Sequence, residues 1–211
     1  MSELQRLKGL LPPEMQSWVF VESATAISPP LITLEEIGVD EIEVQVDIDQ
    51  WDSLALDHRN LLFWHEVGRI QNDTIPRDGW EMAALAIGLG GAIGELWVQD
   101  GLLLMMALGL SGFAGYRLYL KNNSEKRLQD AIAADERAIS LACQFEYSVP
   151  NAYRSLAGAL KELASKTRKK RHRSFYEERL EALRKSASRA RAEMAQQEGS
   201  RNSVTSENVY G

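Results

Sequence analysis

The residues with the clearest chemical potential are His65 and Glu66, in the run Leu61-Leu-Phe-Trp-His65-Glu66-Val-Gly-Arg69. On a helix, two histidines one turn apart would aim both imidazoles at one zinc ion, and a glutamate beside the first would activate a bound water. His65 and Glu66 supply two of those three residues. Arg69 stands where the second histidine would fall, and a guanidinium stays protonated with no lone pair for a metal. The pair therefore reads as a non-catalytic remnant, with no metal and no cofactor expected. Zinc held by an atypical ligand set is the alternative. A second chemical feature is the basic run Lys166-Thr-Arg-Lys-Lys-Arg-His-Arg173, with Phe175 and Tyr176 beside it. Cations next to aromatics can bind nucleic acid, but no groove-reading or stacking motif accompanies them, so nucleic acid is an unlikely partner. Anionic lipid head groups on Lys169, Lys170, Arg171 and Arg173 are the simpler reading, and a plain solvated helix stays open beside it.

These residues sit in a chain of 211 residues whose net charge of −6 describes none of its parts. Residues 34–52 carry eight acidic side chains and no basic one, while residues 166–191 carry eleven Lys and Arg against three Glu. Between them, Met82 to Tyr116 holds two formal charges, Glu95 and Asp100. With Cys143 as the only cysteine, an intrachain disulfide and a thiolate-rich metal site are both excluded. His58 and His172 have no second ligand at useful spacing and read as solvated or locally hydrogen-bonded.

The first third predicts short strands. Trp18–Glu22 and Glu41–Ile48 are rich in β-formers, and Leu31–Thr33 can add a third. In the second run Ile42, Val44, Val46 and Ile48 alternate with Glu41, Glu43, Gln45 and Asp47, the period of a half-buried strand with a solvated acidic face. A helix is expected from about Asp52 to Gln71, stopped by Asn72-Asp73 and Pro76. It carries His65, Glu66 and Arg69.

Two apolar arms follow, residues 82–98 and 102–120, around a polar turn at Gln99-Asp100-Gly101. Each arm is just long enough, at 1.5 Å per residue, to span a hydrocarbon core of about 30 Å. Glycines recur at 88, 91 and 94 and again at 109, 112 and 115, where they would let two helices in lipid approach closely. A helical pair buried in a soluble core is the competing reading, favoured by Glu95, although that carboxylate lies near the turn and Trp97. Arg77 before the arms and Arg117, Lys121, Lys126 and Arg127 after them, with no cation in the turn, place both flanks on the cytoplasmic side. Helices over about 123–146, 148–164 and 174–196 and a disordered tail over 196–211 complete the chain.

The order of these pieces resembles a membrane zinc metallopeptidase of the HtpX type, in which strands precede a His-Glu helix and a membrane hairpin follows it. Ala131-Ile-Ala-Ala134-Asp135 looks like that family's Glu-x-x-Ala-Asp helix, and Glu146-Tyr-Ser-Val-Pro150-Asn-Ala152 like its Gly-Tyr-x-Pro-x-Ala segment. Arg179-Leu180-Glu-Ala-Leu183 resembles its closing Arg-(Ile/Leu)-x-x-Leu. The resemblance implies an α+β fold, a short N-terminal β-sheet and helical zincin-like domain interrupted by a two-helix transmembrane hairpin. Its parts are an N-terminal extension (1–15), strands plus His-Glu helix (16–80), hairpin (81–120), helical cytoplasmic part (121–195) and tail. Ala131 stands where the family's third ligand would be, so the resemblance implies a non-catalytic relative in which Glu66, Arg69 and Asp135 form a buried polar contact, Arg69 reaching Asp135 and Glu66 one turn back on its own helix. A fainter resemblance is to cyanobacterial membrane proteins without an assigned function, which implies a thylakoid or plasma membrane. The expected protein is an integral membrane protein of two spans, a protease-like scaffold for an unknown membrane protein partner. A membrane zinc peptidase is the alternative.

Overall fold

The structure, a computed structural model, describes residues 2–27, 29, 31–38, 41–74, 84–91, 93, 101–122 and 124–207, with the side chains of 101–104, 117–122 and 197–207 excepted. Three strands form one sheet in the order β1-β3-β2: β1 (Val19–Ala24), β2 (Ile32–Gly38) and β3 (Glu41–Asp47). β3 runs parallel to β1, with Val19 opposite Ile42, and antiparallel to β2, with Leu34 opposite Val44. The alternation read from the sequence decides the facing: Ile42, Val44 and Val46 are buried with Val19, Ile32 and Leu34. Glu43 and Glu35 stand on the other face, where both accept from Gln45 Nε2 at 2.8 Å. Asp47 departs from the acidic face. It is buried, and its carboxylate accepts from the Ile27 and Gln50 N–H groups at 3.1 and 3.2 Å, which caps the short helix α2 (Ile48–Trp51).

The segment treated in the sequence as an extension is part of the core. Helix α1 (Glu3–Gly9) and the turn after it bury Leu7, Leu11 and Met15. Glu3 ties them down by bonding Arg6 at 2.6 Å and Arg59 at 3.1 Å. Ser2 and Glu3 at the start of α1 are ordinary helix-start residues, and the short apolar spacing at 7, 11 and 15 gave too weak a period to read as a packing helix.

The central element is α3 (Leu56–Gln71), in which Asn60 through Gly68 are all buried. A helix covered on every side must be surrounded by partners. Around α3 stand the sheet and three helices, α6 (Ser124–Gln144), α7 (Val149–Lys166) and α8 (Lys170–Glu207). The α3–α6 crossing is the closest of these packings, and Gly68 makes it possible. A Cβ at Gly68 would lie 2.9 Å from the Ala134 carbonyl oxygen and 3.1 Å from Arg137 Cβ. Gly68→Ala is expected to destabilise by about 1–3 kcal/mol through overpacking. A thermal unfolding midpoint unchanged from the native protein would show that the helices separate freely there. Asn72 and Asp73 end α3 as expected, with Asp73 in the left-handed region at φ 51°.

One apolar core runs from Leu7 to Leu183, so the two flanks of the hairpin form one packed body. The hairpin itself is described over a helical stretch α4 (84–91) and over α5 (Gly101–Asn122). Glu95, Trp97, the turn at Gln99-Asp100, Gly94 and Arg77 lie outside the described residues. Among the described residues no helix is long and apolar enough to cross a membrane. The two arms pack antiparallel. A Cβ at Gly88 would come within 3.0 Å of the Ala107 carbonyl oxygen, and one at Gly91 within 3.6 Å of Ala107 Cβ. On the second arm the contact is made by Ala107, Ser111 and Ala114, which share a face by their spacing of four and three. Glycines 109, 112 and 115 instead face open space. At the far end of the chain, α8 continues past the boundary expected at 196, as far as Glu207. Gln197, Glu198, Arg201 and Glu207 are good helix formers among weaker ones, and extending a helix is easier than starting one.

Candidate functional site

The side chains singled out from the sequence meet where α3, α6 and α8 cross. Helical spacing puts His65, Glu66 and Arg69 on the part of α3 that faces α6 and α8. Asp135 comes from the buried face of α6, and Arg179 from α8. His65, Glu66, Asp135 and Arg179 are each at most 5% exposed. Buried charges persist only when paired and hydrogen-bonded, and here they are.

The pairing differs from the expected one at Asp135, whose partner is Arg179 rather than Arg69, and keeps the expected contact between Arg69 and Glu66. Asp135 bonds Arg179 through two nitrogens, Nη2 to Oδ1 at 2.6 Å and Nε to Oδ2 at 3.0 Å. Arg69 instead donates to Glu66 Oε2 at 2.7 Å, one turn back on its own helix, and to the Thr74 carbonyl at 3.4 Å. The planar fork of Arg179 matches the carboxylate of Asp135 with both teeth, whereas Arg69 is held near the end of α3 by its local partners. Arg179 was visible in the sequence only as the first residue of a closing motif. A lone arginine among the apolar positions 176, 180 and 183 of one helix was the signal that could have marked it as buried.

His65 completes the set. Its Nδ1 lies 2.9 Å from Asp135 Oδ1, which fixes the ring. Arg179 Nη2 is 3.2 Å from Nδ1 and 3.4 Å from Nε2 of the same ring. A single nitrogen nearly equidistant from both ring nitrogens cannot lie in the ring plane without colliding with the carbon between them. The guanidinium therefore stacks over the imidazole face, and its other neighbours are the Phe175 and Tyr176 rings, with centroids 5.7 and 5.9 Å away. Glu66 Oε1 lies 3.9 Å from Nε2, beyond hydrogen-bonding reach.

The charges set the titration of the site. Burial would push the Asp135 carboxyl up, but the positive charge of Arg179 and the His65 bond outweigh it and hold the group at about 2. Burial likewise works against the charge on Arg179, and the Asp135 carboxylate overcomes it and raises the group further. Tyr176 is pushed up to about 12 by burial, so it stays a neutral phenol.

This arrangement does not fit a zinc ion. His65 and Asp135 are bonded to each other, and the Arg179 guanidinium covers the ring face where a second cation would be repelled. Among the described residues no group of three or more His, Cys, Asp or Glu is arranged to hold a metal. Ala131 and Arg69, at the positions of the two missing ligands, do line the same space as His65.

That space is a cavity of about 1020 Å³, walled by α3, α6 and the start of α8. The structure divides the four cations expected to bind lipid. Lys170 and Arg171 line the cavity, together with His172. Lys169 is exposed just before α8, and Arg173 reaches back to the Thr167 carbonyl at 3.4 Å. His58 is elsewhere, with Nδ1 3.1 Å from Glu162 Oε2.

With this geometry in hand, two similarities to known proteins bear on it. A curated protein of Synechocystis sp. named "Thylakoid membrane protein slr1949" is 66% identical over 192 residues, covering 91% of this chain and 91% of that one. No solved structure matches. The Synechocystis relative agrees with the resemblance to cyanobacterial membrane proteins, whereas neither similarity connects the chain with HtpX-type metallopeptidases. A family model matches residues 5–147, the stretch that carries the sheet, the His-Glu helix, both arms and Asp135, so the chain belongs to the family described as "Protein of unknown function (DUF3318)".

Proposed function

We propose that the chain is a thylakoid membrane protein, anchored by the helical hairpin, whose packed domain works at the membrane surface as a non-catalytic scaffold for a membrane partner. One observation carries the anchoring. Where α4 meets α5, the side chains turned inward are small, with Ala84, Gly88, Ser111 and Ala114 all buried, Ala114 fully so. The large apolar side chains point outward: Met105 is 73% exposed, Ile87 68%, Met106 65% and Phe113 55%. A helix pair in water does the reverse, because burying Leu, Ile, Met and Phe is what holds it together. In lipid that driving force is absent, and small residues let the helices approach while large ones meet the acyl chains. The inserting unit in this reading is the sequence of both arms, 82–98 and 102–120, including residues outside the described set. Support also comes from the name of the Synechocystis relative, a thylakoid membrane protein.

The non-catalytic part rests on the buried network. His65, Asp135 and Arg179 are tied to one another, an arrangement that holds three helices in register rather than presenting a metal-bound water, and Arg69 closes on Glu66 beside them. Both flanks of the hairpin belong to one body and lie on one side of the membrane, the cytoplasmic side by the positions of the cations.

The protein is expected to remain with the membrane pellet after an alkaline carbonate wash. Leu108→Arg with Phe113→Arg is expected to release it or prevent insertion, since each Arg at a span centre costs about 2.5–3.5 kcal/mol. Recovery of the native chain in the carbonate supernatant would defeat the anchoring.

A further inference from the structure

We propose that the 1020 Å³ cavity is a binding site for a singly charged anionic head group that also carries hydroxyls, a phosphoglycerol being the simplest example. The assignment of a membrane lipid as the source rests on the anchored reading above. The chemistry of the cavity does not.

The size is that of a small-molecule site, which typically runs to about 1,000 Å³. Its location is where a head group would be met. Thr74, close before the first arm, and Ser124, Arg127 and Leu128, directly after the second, all belong to its wall. The cavity therefore opens beside the point where the hairpin leaves the packed domain.

Its rim carries Arg127, Lys170 and Arg171, and among the described residues no ion pair engages any of the three. Two long helices, α6 and α8, begin at the rim, and helix starts present free N–H groups and the positive end of the helix dipole. Acidic groups share the wall. Glu125, Asp130 and Glu178 face the same space, Glu178 accepting from Ser174 Oγ at 2.9 Å. Three carboxylates against three cations leave no surplus that would hold a multiply charged anion, so the site suits at most a single negative charge met locally by the cations.

The floor supplies a different chemistry. His65 gives its Nδ1–H to Asp135, so in the neutral ring Nε2 is an acceptor, 95% buried with its residue and met by Arg179 Nη2 at 3.4 Å from over the ring face. Glu66, beside it, is a second acceptor. The 3.4 Å contact from the ring face is a weak one, and a ligand hydroxyl would give Nε2 a better donor. A site with cations at the mouth and acceptors at the floor selects an anion bearing hydroxyls. It discriminates against a choline head group, which has no O–H to offer the floor.

The test uses the full chain in neutral detergent, with calorimetric titration of three probes: dihexanoyl-phosphatidylglycerol, dihexanoyl-phosphatidylcholine and free glycerophosphoglycerol. The glycerol lipid is expected to bind at least about tenfold more tightly than the choline lipid, as charge-assisted bonds and paired hydroxyls require. Arg127→Gln with Arg171→Gln should weaken it by about tenfold or more, whereas Lys161→Gln with Arg189→Gln, which lie off the cavity, should leave it within about twofold. Free glycerophosphoglycerol binding as well as the lipid would identify a soluble ester as the ligand. Binding that needs the acyl chains would identify a lipid. Equal affinity for the glycerol and choline lipids, or an unchanged affinity in the rim variant, would overturn the proposal. A carbonate-soluble protein that still selects phosphatidylglycerol would remove the anchor and keep the cavity. A membrane-retained protein that does not select it would do the opposite.

Discussion

Asp135→Leu is expected to lower stability by about 3–5 kcal/mol, and Arg179→Met by a similar amount, because each leaves its former partner as an unpaired buried charge. Both groups are at most 3% exposed, so water cannot take the place of the missing partner. Asp135→Leu with Arg179→Met together is expected to cost less than either alone, since the double change removes both charges. The measurement is the unfolding midpoint of the four detergent-extracted proteins, at about 2–4 °C per kcal/mol for a chain of this size. A double variant as unstable as the sum of the singles would mean that the two groups do not act as a pair.

The same pair gives an acid signature with a definite sign. The Asp135 carboxyl is held at about 2 in the folded protein against an ordinary 3.8. A group depressed on folding adds stability above its unfolded pKa and loses it as pH falls toward the folded value. The contribution is fully present at neutral pH and disappears between about pH 4 and pH 2, and the shift corresponds to about 2 kcal/mol. That figure is smaller than the cost of Asp135→Leu because it compares two protonation states, whereas the substitution also strands the guanidinium. The double variant should lack this part of the acid loss.

Trp64→Ala is the second large effect, expected at about 3–5 kcal/mol. Trp64 is fully buried next to His65, with Phe145 at 5.2 Å and Tyr147 edge-on at 5.6 Å. Its Nε1–H donates to the Leu10 carbonyl at 3.2 Å, which joins α3 to the end of α1. Truncation would leave a cavity and an unbonded carbonyl in one step. Because the indole fixes the rotation of α3, the loss should also loosen the His65–Asp135 bond. Trp64→Phe keeps a ring in the space and should recover part of the stability. A small loss for Trp64→Ala, under about 1 kcal/mol, would mean that the core closes over the gap and that α3 is set by other contacts.

Local regularity was legible without the fold. The strand at Glu41–Asp47 follows from an alternation of apolar and polar residues, because a pleated strand presents every second side chain to the same face. The stop of α3 at Asn72-Asp73 and the helix starting with Pro150 in its first turn follow from backbone preferences that need no partner. The paired apolar arms are likewise a property of composition alone, and so is the inability of Arg69 to serve as a metal ligand.

What the sequence could not supply was every choice between partners far apart in the chain. Asp135 could have met Arg69 or Arg179, and both offered the same charge. The crossing of α3 with α6, set by Gly68 against Ala134, and the docking of α8 over them put Arg179 in reach and left Arg69 to Glu66. In the hairpin it is the packing of α4 on α5 that turned Gly88 and Gly91 toward Ala107 and Ser111 and left Gly109, Gly112 and Gly115 facing away, although the glycines of each arm repeat with the same spacing. Spacing fixes which residues share a face of a helix. Only the packing of helix on helix decides what that face meets, because the energy of a buried charge or a close approach depends on the atoms across the gap.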